Sequence, residues 1–165
     1  VVFHEDPRGR GWRRVVPSPN PERINNRMSI EKLSRDGNIV VTVGGGGIPA
    51  FYVEPNKLQG IDAVIDKDLA SSKLASEINA EEFYILTDVP KVSINFNTPD
   101  EVQLDEITLS DAKKYLEEGH FAEGSMAPKI RAAIQFVENG GEKCIITESA
   151  DLGKKNAGTR IIQDK

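Results

Sequence analysis

Cysteine is nearly missing from this chain: its 165 residues include one, Cys144. A single thiol excludes a disulfide framework and a zinc cluster, and its place inside the apolar run from Lys143 to Thr147 reads as a small buried hydrophobe. Histidine is almost as scarce. His4 and His120 have no Ser or Cys nearby in the sequence to form a catalytic triad, so an acyl-transfer site is not supported. No apolar run approaches the roughly 20 residues that span a bilayer, and no charged-then-apolar signal segment opens the chain. A cytoplasmic location without a membrane partner is the resulting expectation. Positive charge is also in short supply: 21 Lys and Arg stand against 26 Asp and Glu, a net charge of -5 that argues against a nucleic-acid partner. An initiator methionine is absent too. Val1-Val2-Phe3 reads like an interior strand, so the chain is expected to be a piece of a longer protein.

What is there, 38% hydrophobic and 28% charged residues, suits one soluble α/β domain over residues 1–165. The apolar β-branched run Ile39-Val40-Val41-Thr42-Val43 predicts a buried strand, broken by Gly44-Gly45-Gly46-Gly47-Ile48-Pro49. Such a strand end is where ligands bind in open α/β sheets. Before it, Ile24, Met28 and Leu33 fall near helical spacing and Gly37 supplies a stop. After Pro49 the chain reads as irregular through Pro55 and Gly60. Ala70, Leu74 and Ile78 then predict an amphipathic helix whose first turn carries Asp66, Lys67 and Asp68. Phe83 to Leu86 predicts a second buried strand, running into Thr87-Asp88-Val89-Pro90, and Val92, Ile94 and Phe96 alternate like a half-exposed strand or hairpin arm. Ser110 is placed as the cap of a helix bearing Ala112, Tyr115 and Leu116, closed by Gly119. Gly124-Ser125-Met126-Ala127-Pro128-Lys129 opens a helix with Ile130, Ala133, Ile134 and Val137 on its apolar face, Ser125 being the N-cap. Cys144 to Thr147 and Gly158 to Ile162 complete the strands. This alternation predicts a three-layer α/β/α arrangement, a mainly parallel open sheet with helices on both faces.

Several segments bear on chemistry. The glycine run is not a P-loop, because Gly47 is followed by Ile48-Pro49 rather than by lysine and a hydroxyl residue. Gly45, Gly47 and Ala50, with Asp62 or Asp66 downstream, nominally meet a dinucleotide pattern and keep an NAD-binding oxidoreductase as an alternative, but the following residues have no helical period. Asp66 and Asp68 suit ordinary helix capping. Lys67 and Lys129 do not: a cation at a helix start is mildly unfavourable unless an anion meets it, so together they point to a bound polyanion. Arg8, Arg10, Arg13 and Arg14 suit either a phosphate or carboxylate grip or a solvated hairpin paired with acidic neighbours.

Gly9 to Pro19, Gly44 to Pro49, Ala63 to Ala70, Leu86 to Val89 and Gly124 to Lys129 occur in this order in carbamate kinases, and over nearly its whole length the chain resembles the C-terminal half of those enzymes, members of the amino acid kinase fold family. The resemblance implies reversible phosphoryl transfer between carbamoyl phosphate and ADP, giving ATP and carbamate, with Mg²⁺, in a cytoplasmic homodimer. It implies that Lys67 and Lys129 stabilise the transferring phosphoryl group and that Asp68 orients the lysines. Gly44, Gly45, Gly46 and Gly47 then face the phosphoryl acceptor, while Thr87, Asp88, Val89, Gly124, Ser125, Met126 and Pro128 line the nucleotide. No residue is assigned to a metal. His4, Pro90 and Ala127 depart from the usual family pattern, where lysine, an acid and glycine are frequent. With the other half of the cleft absent, a catalytically incomplete nucleotide-binding fragment is the alternative.

Overall fold

The computed structural model describes residues 1–6, 9 and 11–164. Arg8 and Arg10 lie outside the described residues. Four of the strands form the central sheet: β5 (Glu82–Thr87), β9 (Lys143–Glu148), β10 (Thr159–Ile162) and β8 (Glu106–Thr108), in the order β5-β9-β10-β8. β5 runs parallel to β9 and β8 parallel to β10, while β9 and β10 are antiparallel. The mainly parallel α/β sheet expected from the alternation is therefore present.

Register explains the core. Phe83 and Ile85 lie opposite Cys144 and Ile146, and Ile161 lies opposite both Cys144 and Ile107. These side chains share one face of the sheet, since alternate residues of a strand point the same way. Against that face pack α2 (Lys67–Glu77), α3 (Leu109–Glu117) and α4 (Met126–Glu138). The apolar spacing of α4 does what its sequence predicts: Ile130, Ala133, Ile134 and Val137 are buried, and Phe136 meets Phe83 with ring centroids 5.5 Å apart. The opposite face carries Tyr84 and Leu86, each 44% exposed, with Ile145 and Thr147 buried. Beside these last two the segment between β9 and β10 encloses a cavity against the sheet.

Three hairpins stand apart from this sheet: β1 (Val2–Glu5) with β2 (Trp12–Val15), β3 (Ala50–Glu54) with β4 (Lys57–Gly60), and β6 (Ser93–Ile94) with β7 (Val102–Gln103). The first corrects the interior-strand reading of Val1-Val2-Phe3, because Val2 and Phe3 are more than half exposed. The second replaces the irregular stretch expected from Pro49 to Gly60. Asn56, at φ 66°, makes its tight turn, a conformation asparagine tolerates better than most residues.

The largest correction concerns Ile39 to Val43. It lies outside regular secondary structure, with Ile39 98% and Val41 96% exposed, rather than in a buried strand. Propensity for a strand is a fit to a half-buried pleated surface, and among the described residues this run is hydrogen-bonded into none of the sheets. The helix before it is present as α1 (Arg27–Arg35), with Ile30 rather than Met28 or Leu33 as its buried residue. Likewise β5 pairs only with β9, so Phe83 to Leu86 is an edge strand with one fully buried residue, Ile85. α3 is capped by Thr108, which accepts from the Asp111 N–H; Ser110 sits inside the first turn and bonds Asp164.

Candidate functional site

The glycine loop is held against the start of α2 by a close backbone approach. Gly46 is buried at φ 87°, and a Cβ there would lie 2.0 Å from the Ile65 carbonyl oxygen, so only glycine fits. Its N–H donates to the Val43 carbonyl at 2.8 Å, closing a turn in which Val43 itself adopts φ 46°. That is an uncommon conformation for a β-branched residue. The residue after Ile65 is Asp66, the N-cap of α2, whose Oδ1 accepts from the N–H groups of Asp68 and Leu69 at 2.8 and 3.0 Å. The glycine loop thus ends up beside the positive end of a helix.

Lys67 opens α2 and is exposed, with no ion-pair partner among the described residues. Lys129, on the first turn of α4, is different. Its Nζ donates to Asp68 Oδ2 at 2.8 Å, and both side chains are only 13% exposed. Asp68 therefore orients one lysine, not both. Beneath the pair lies Cys144, whose thiol is held strongly protonated by burial, with the negative charge of Asp68 adding to the effect.

A cavity of about 120 Å³ brings Gly44, Lys67 and Asp68 together with Ser71 and the edge of β5, including Tyr84 and Leu86. Gly45 and Gly47 are exposed in the same loop, and Gly47 is at φ 88°. Thr87, Asp88 and Val89 continue from the carboxyl end of β5; the Thr87 hydroxyl donates to the Asp88 carboxylate at 3.1 Å. Gly124 and Ser125 form the turn into α4, where Ser125 holds the N-cap position without a side-chain cap bond, and Met126 and Pro128 fall in the first turn. None of these seven residues lines the 120 Å³ cavity. They flank it from the ends of β5 and α4.

Ser71, Tyr84 and Leu86 are not among the site residues expected from the sequence. The alternation along β5 carries the signal for the last two, since they point opposite to Phe83 and Ile85. Of the four arginines, Arg13 and Arg14 lie on β2 of the first hairpin and meet acidic neighbours: Arg13 pairs with Asp6 at 3.4 Å and Arg14 with Asp62 at 2.5 Å. A larger cavity, about 260 Å³, lies on the other face under the segment following β9, with Thr147 and Arg160 in its wall, and contains none of the expected site residues.

After the glycine loop comes the β3–β4 hairpin, not the helix that a dinucleotide fingerprint requires, which removes the NAD reading. What remains is a glycine loop and two helix starts bearing lysines. The sequence profile of the amino acid kinase family matches residues 3–148. The chain belongs to the amino acid kinase family.

Within that family it is similar to the carbamate kinase of Thermoplasma volcanium, 54% identical over 156 residues, which cover 92% of this chain and 50% of the relative. Carbamate kinase 2 of Staphylococcus aureus is 49% identical over 164 residues, 97% of this chain and 52% of the relative. A solved structure, carbamate kinase from Giardia lamblia bound to AMP-PNP, superposes with a TM-score of 0.90 at 46% identity, covering 99% of this chain and 52% of that one. The chain thus spans about half the length of the curated relatives it matches. N-acetylglutamate synthase from Neisseria gonorrhoeae, at 21% identity and a TM-score of 0.64, shares the fold.

Proposed function

We propose that this chain supplies the nucleotide side of a carbamate kinase, catalysing carbamoyl phosphate + ADP to carbamate + ATP and the reverse. The observation that carries the reading is the Lys129–Asp68 pair, set beside the glycine loop and Lys67, which has no ion-pair partner among the described residues. In the forward direction the bond between phosphorus and the carbamoyl oxygen breaks, and one forms to a β-phosphate oxygen of ADP. Such a transfer asks the protein for positioning and positive charge rather than covalent chemistry. Lys129, anchored by Asp68, meets the moving phosphoryl group with its ammonium already oriented. Lys67 adds a second, exposed cation. Asp68 is engaged in holding Lys129 and is not a proton acceptor in this scheme.

Gly44, Gly45 and Gly47 give the carbamoyl phosphate end of the cleft close access to backbone N–H groups, that of Gly46 being taken by the Val43 carbonyl. In this reading Thr87, Asp88 and Val89 from one side and Gly124, Ser125, Met126 and Pro128 from the other hold the nucleotide; a relative bound to AMP-PNP supports a nucleotide substrate. Among the described residues no group of three or more His, Cys, Asp or Glu side chains converges on a metal site. Mg²⁺ in this reading enters with the nucleotide phosphates, as part of the substrate. A homodimer in the cytoplasm completes the reading.

A second reading, a nucleotide-binding piece without turnover, is favoured by the half-length match to the relatives. Coupled ATP detection after adding carbamoyl phosphate and ADP separates the two. Turnover by the 165-residue chain removes the second reading. In a protein of the relatives' full length, Lys129→Ala is expected to lower the rate by more than tenfold, as loss of a charge-stabilising group does. A smaller loss would remove Lys129 from the mechanism.

A further inference from the structure

We propose that the cavity of about 260 Å³ beside β9 is a further anion site, built for a small phosphate-bearing molecule and separate from the cavity that holds Lys67 and Asp68. Three cations, Lys143, Lys154 and Arg160, stand in its wall, against one carboxylate among the described residues, Asp151. In a chain of net charge -5, that concentration of positive charge calls for an anion carrying more than one charge. Each cation is tied at one point: Lys143 to Glu82 at 2.6 Å, Lys154 to Asp151 at 2.5 Å and Arg160 to Glu106 at 3.1 Å. An ammonium has three donors and a guanidinium five, so the ties orient these side chains and leave donors over. Neither Glu82 nor Glu106 lines the cavity.

Thr147 points to the same ligand independently. It lines the cavity from β9, is 1% exposed, and its hydroxyl has no hydrogen-bond partner among the described residues. Buried hydroxyls are as a rule paired, so this one is left for whatever enters the cavity. The segment that carries Lys154 closes onto β9 at a fixed point. A Cβ on Gly158, at φ 74°, would lie 2.6 Å from the Ile146 carbonyl oxygen and 2.8 Å from the Thr147 Cβ, so only glycine fits there. Ile145, Leu152 and Ala157 give the remaining wall an apolar surface, which suits a short carbon chain on the phosphate. The volume falls below the roughly 300–1,000 Å³ of sites for larger ligands, which favours a small molecule over a nucleotide. Tyr84 alone lines both cavities, so an anion here and an anion at Lys67 meet different donors.

The test is a residue-resolved NMR titration of the 165-residue chain with inorganic phosphate and with glycerol 3-phosphate at constant ionic strength. Its readout is binding, so it stands apart from the kinase reading. Saturable shifts are expected at Thr147, Lys154 and Arg160. Tighter binding of glycerol 3-phosphate identifies a phosphomonoester as the ligand, and binding of inorganic phosphate as tightly or more so identifies the free ion; either order upholds the site. Lys154→Gln, at a side chain 64% exposed, and Thr147→Val are each expected to weaken binding by about fivefold or more, through loss of a charged and a hydroxyl donor. Lys67→Gln is expected to leave it unchanged. Free Thr147→Val should melt with the parent, because its hydroxyl has no protein partner to lose. Shifts that do not saturate, shifts confined to the glycine loop and Lys67, or binding indifferent to Lys154 and Thr147 would each overturn the proposal.

Discussion

Lys129 and Asp68 are 61 residues apart in the chain and 2.8 Å apart in space. Each comes from the first turn of its own helix, so the contact locks the starts of α2 and α4 to one another. Asp68→Asn and Lys129→Met are therefore expected to be non-additive: the double variant loses less stability than the sum of the singles, with a coupling of about 1–3 kcal/mol. Urea denaturation of the four proteins in the cycle measures it. A coupling near zero would mean that the pair is incidental to the packing of the helices.

Gly46→Ala tests the seating of the glycine loop. The added methyl meets the Ile65 carbonyl at 2.0 Å, and the backbone at φ 87° disfavours any side chain. A loss of about 1–3 kcal/mol is expected, as for overpacking elsewhere. Nucleotide-induced thermal stabilisation should fall with it, because the loop is displaced from Asp66. Gly45→Ala, where a Cβ has open space and φ is ordinary, is the matched control and should be near neutral.

Thr159 joins the sheet to the β6–β7 hairpin. Its fully buried hydroxyl accepts from the Val92 N–H at 2.8 Å and donates to the Leu104 carbonyl. Thr159→Val keeps the volume and orphans both backbone groups, at a cost of about 1–3 kcal/mol. Thr159→Ser should retain most of that stability. If valine and serine behave alike in denaturation, the hydroxyl is not what matters.

At the start of β5, Glu82 is held below its ordinary range by the hydrogen bond from Lys143, at 2.6 Å, and then by the Tyr84 hydroxyl, while burial acts weakly the other way. The same pair raises Lys143. A lowered carboxylate contributes stability above its unfolded range and loses it as pH falls through the lower folded value; a raised lysine contributes below its unfolded range and loses it as pH rises. The melting-temperature difference between the parent and Glu82→Gln should therefore be widest between about pH 6 and pH 9 and close below about pH 4. A difference that is flat across pH would rule out the ion pair as its source.

Legibility followed how local the physics is. α2 and α4 could be read from spacing and start signals, because Ala70, Leu74, Ile130 and Val137 face the core at helical intervals. Pairing of β9 with β10 placed Cys144 and Ile161 together, and both strands were visible as apolar runs. Ile39 to Val43 misled for the same reason that it looked clear: β-branched composition reports a preference, while burial depends on a neighbour, and none of the described strands pairs with it. The β3–β4 hairpin was hidden by prolines at 49 and 55 and by an Asn56 turn without the usual glycine. In the site, the lysines stood out as misplaced cations. Their inequality did not, since only the fold reveals that Asp68 reaches Lys129 and leaves Lys67 alone.

Cys144 has one more consequence. It is the single thiol of the chain, fully buried against α4 and kept protonated. A reagent such as dithionitrobenzoate can reach it only when the helical layer lifts from the sheet. The rate of that reaction in native buffer is thus a clock for openings of the core beneath the Asp68–Lys129 pair, and a ligand that clamps the two helix starts together should slow the clock without touching the sulfur.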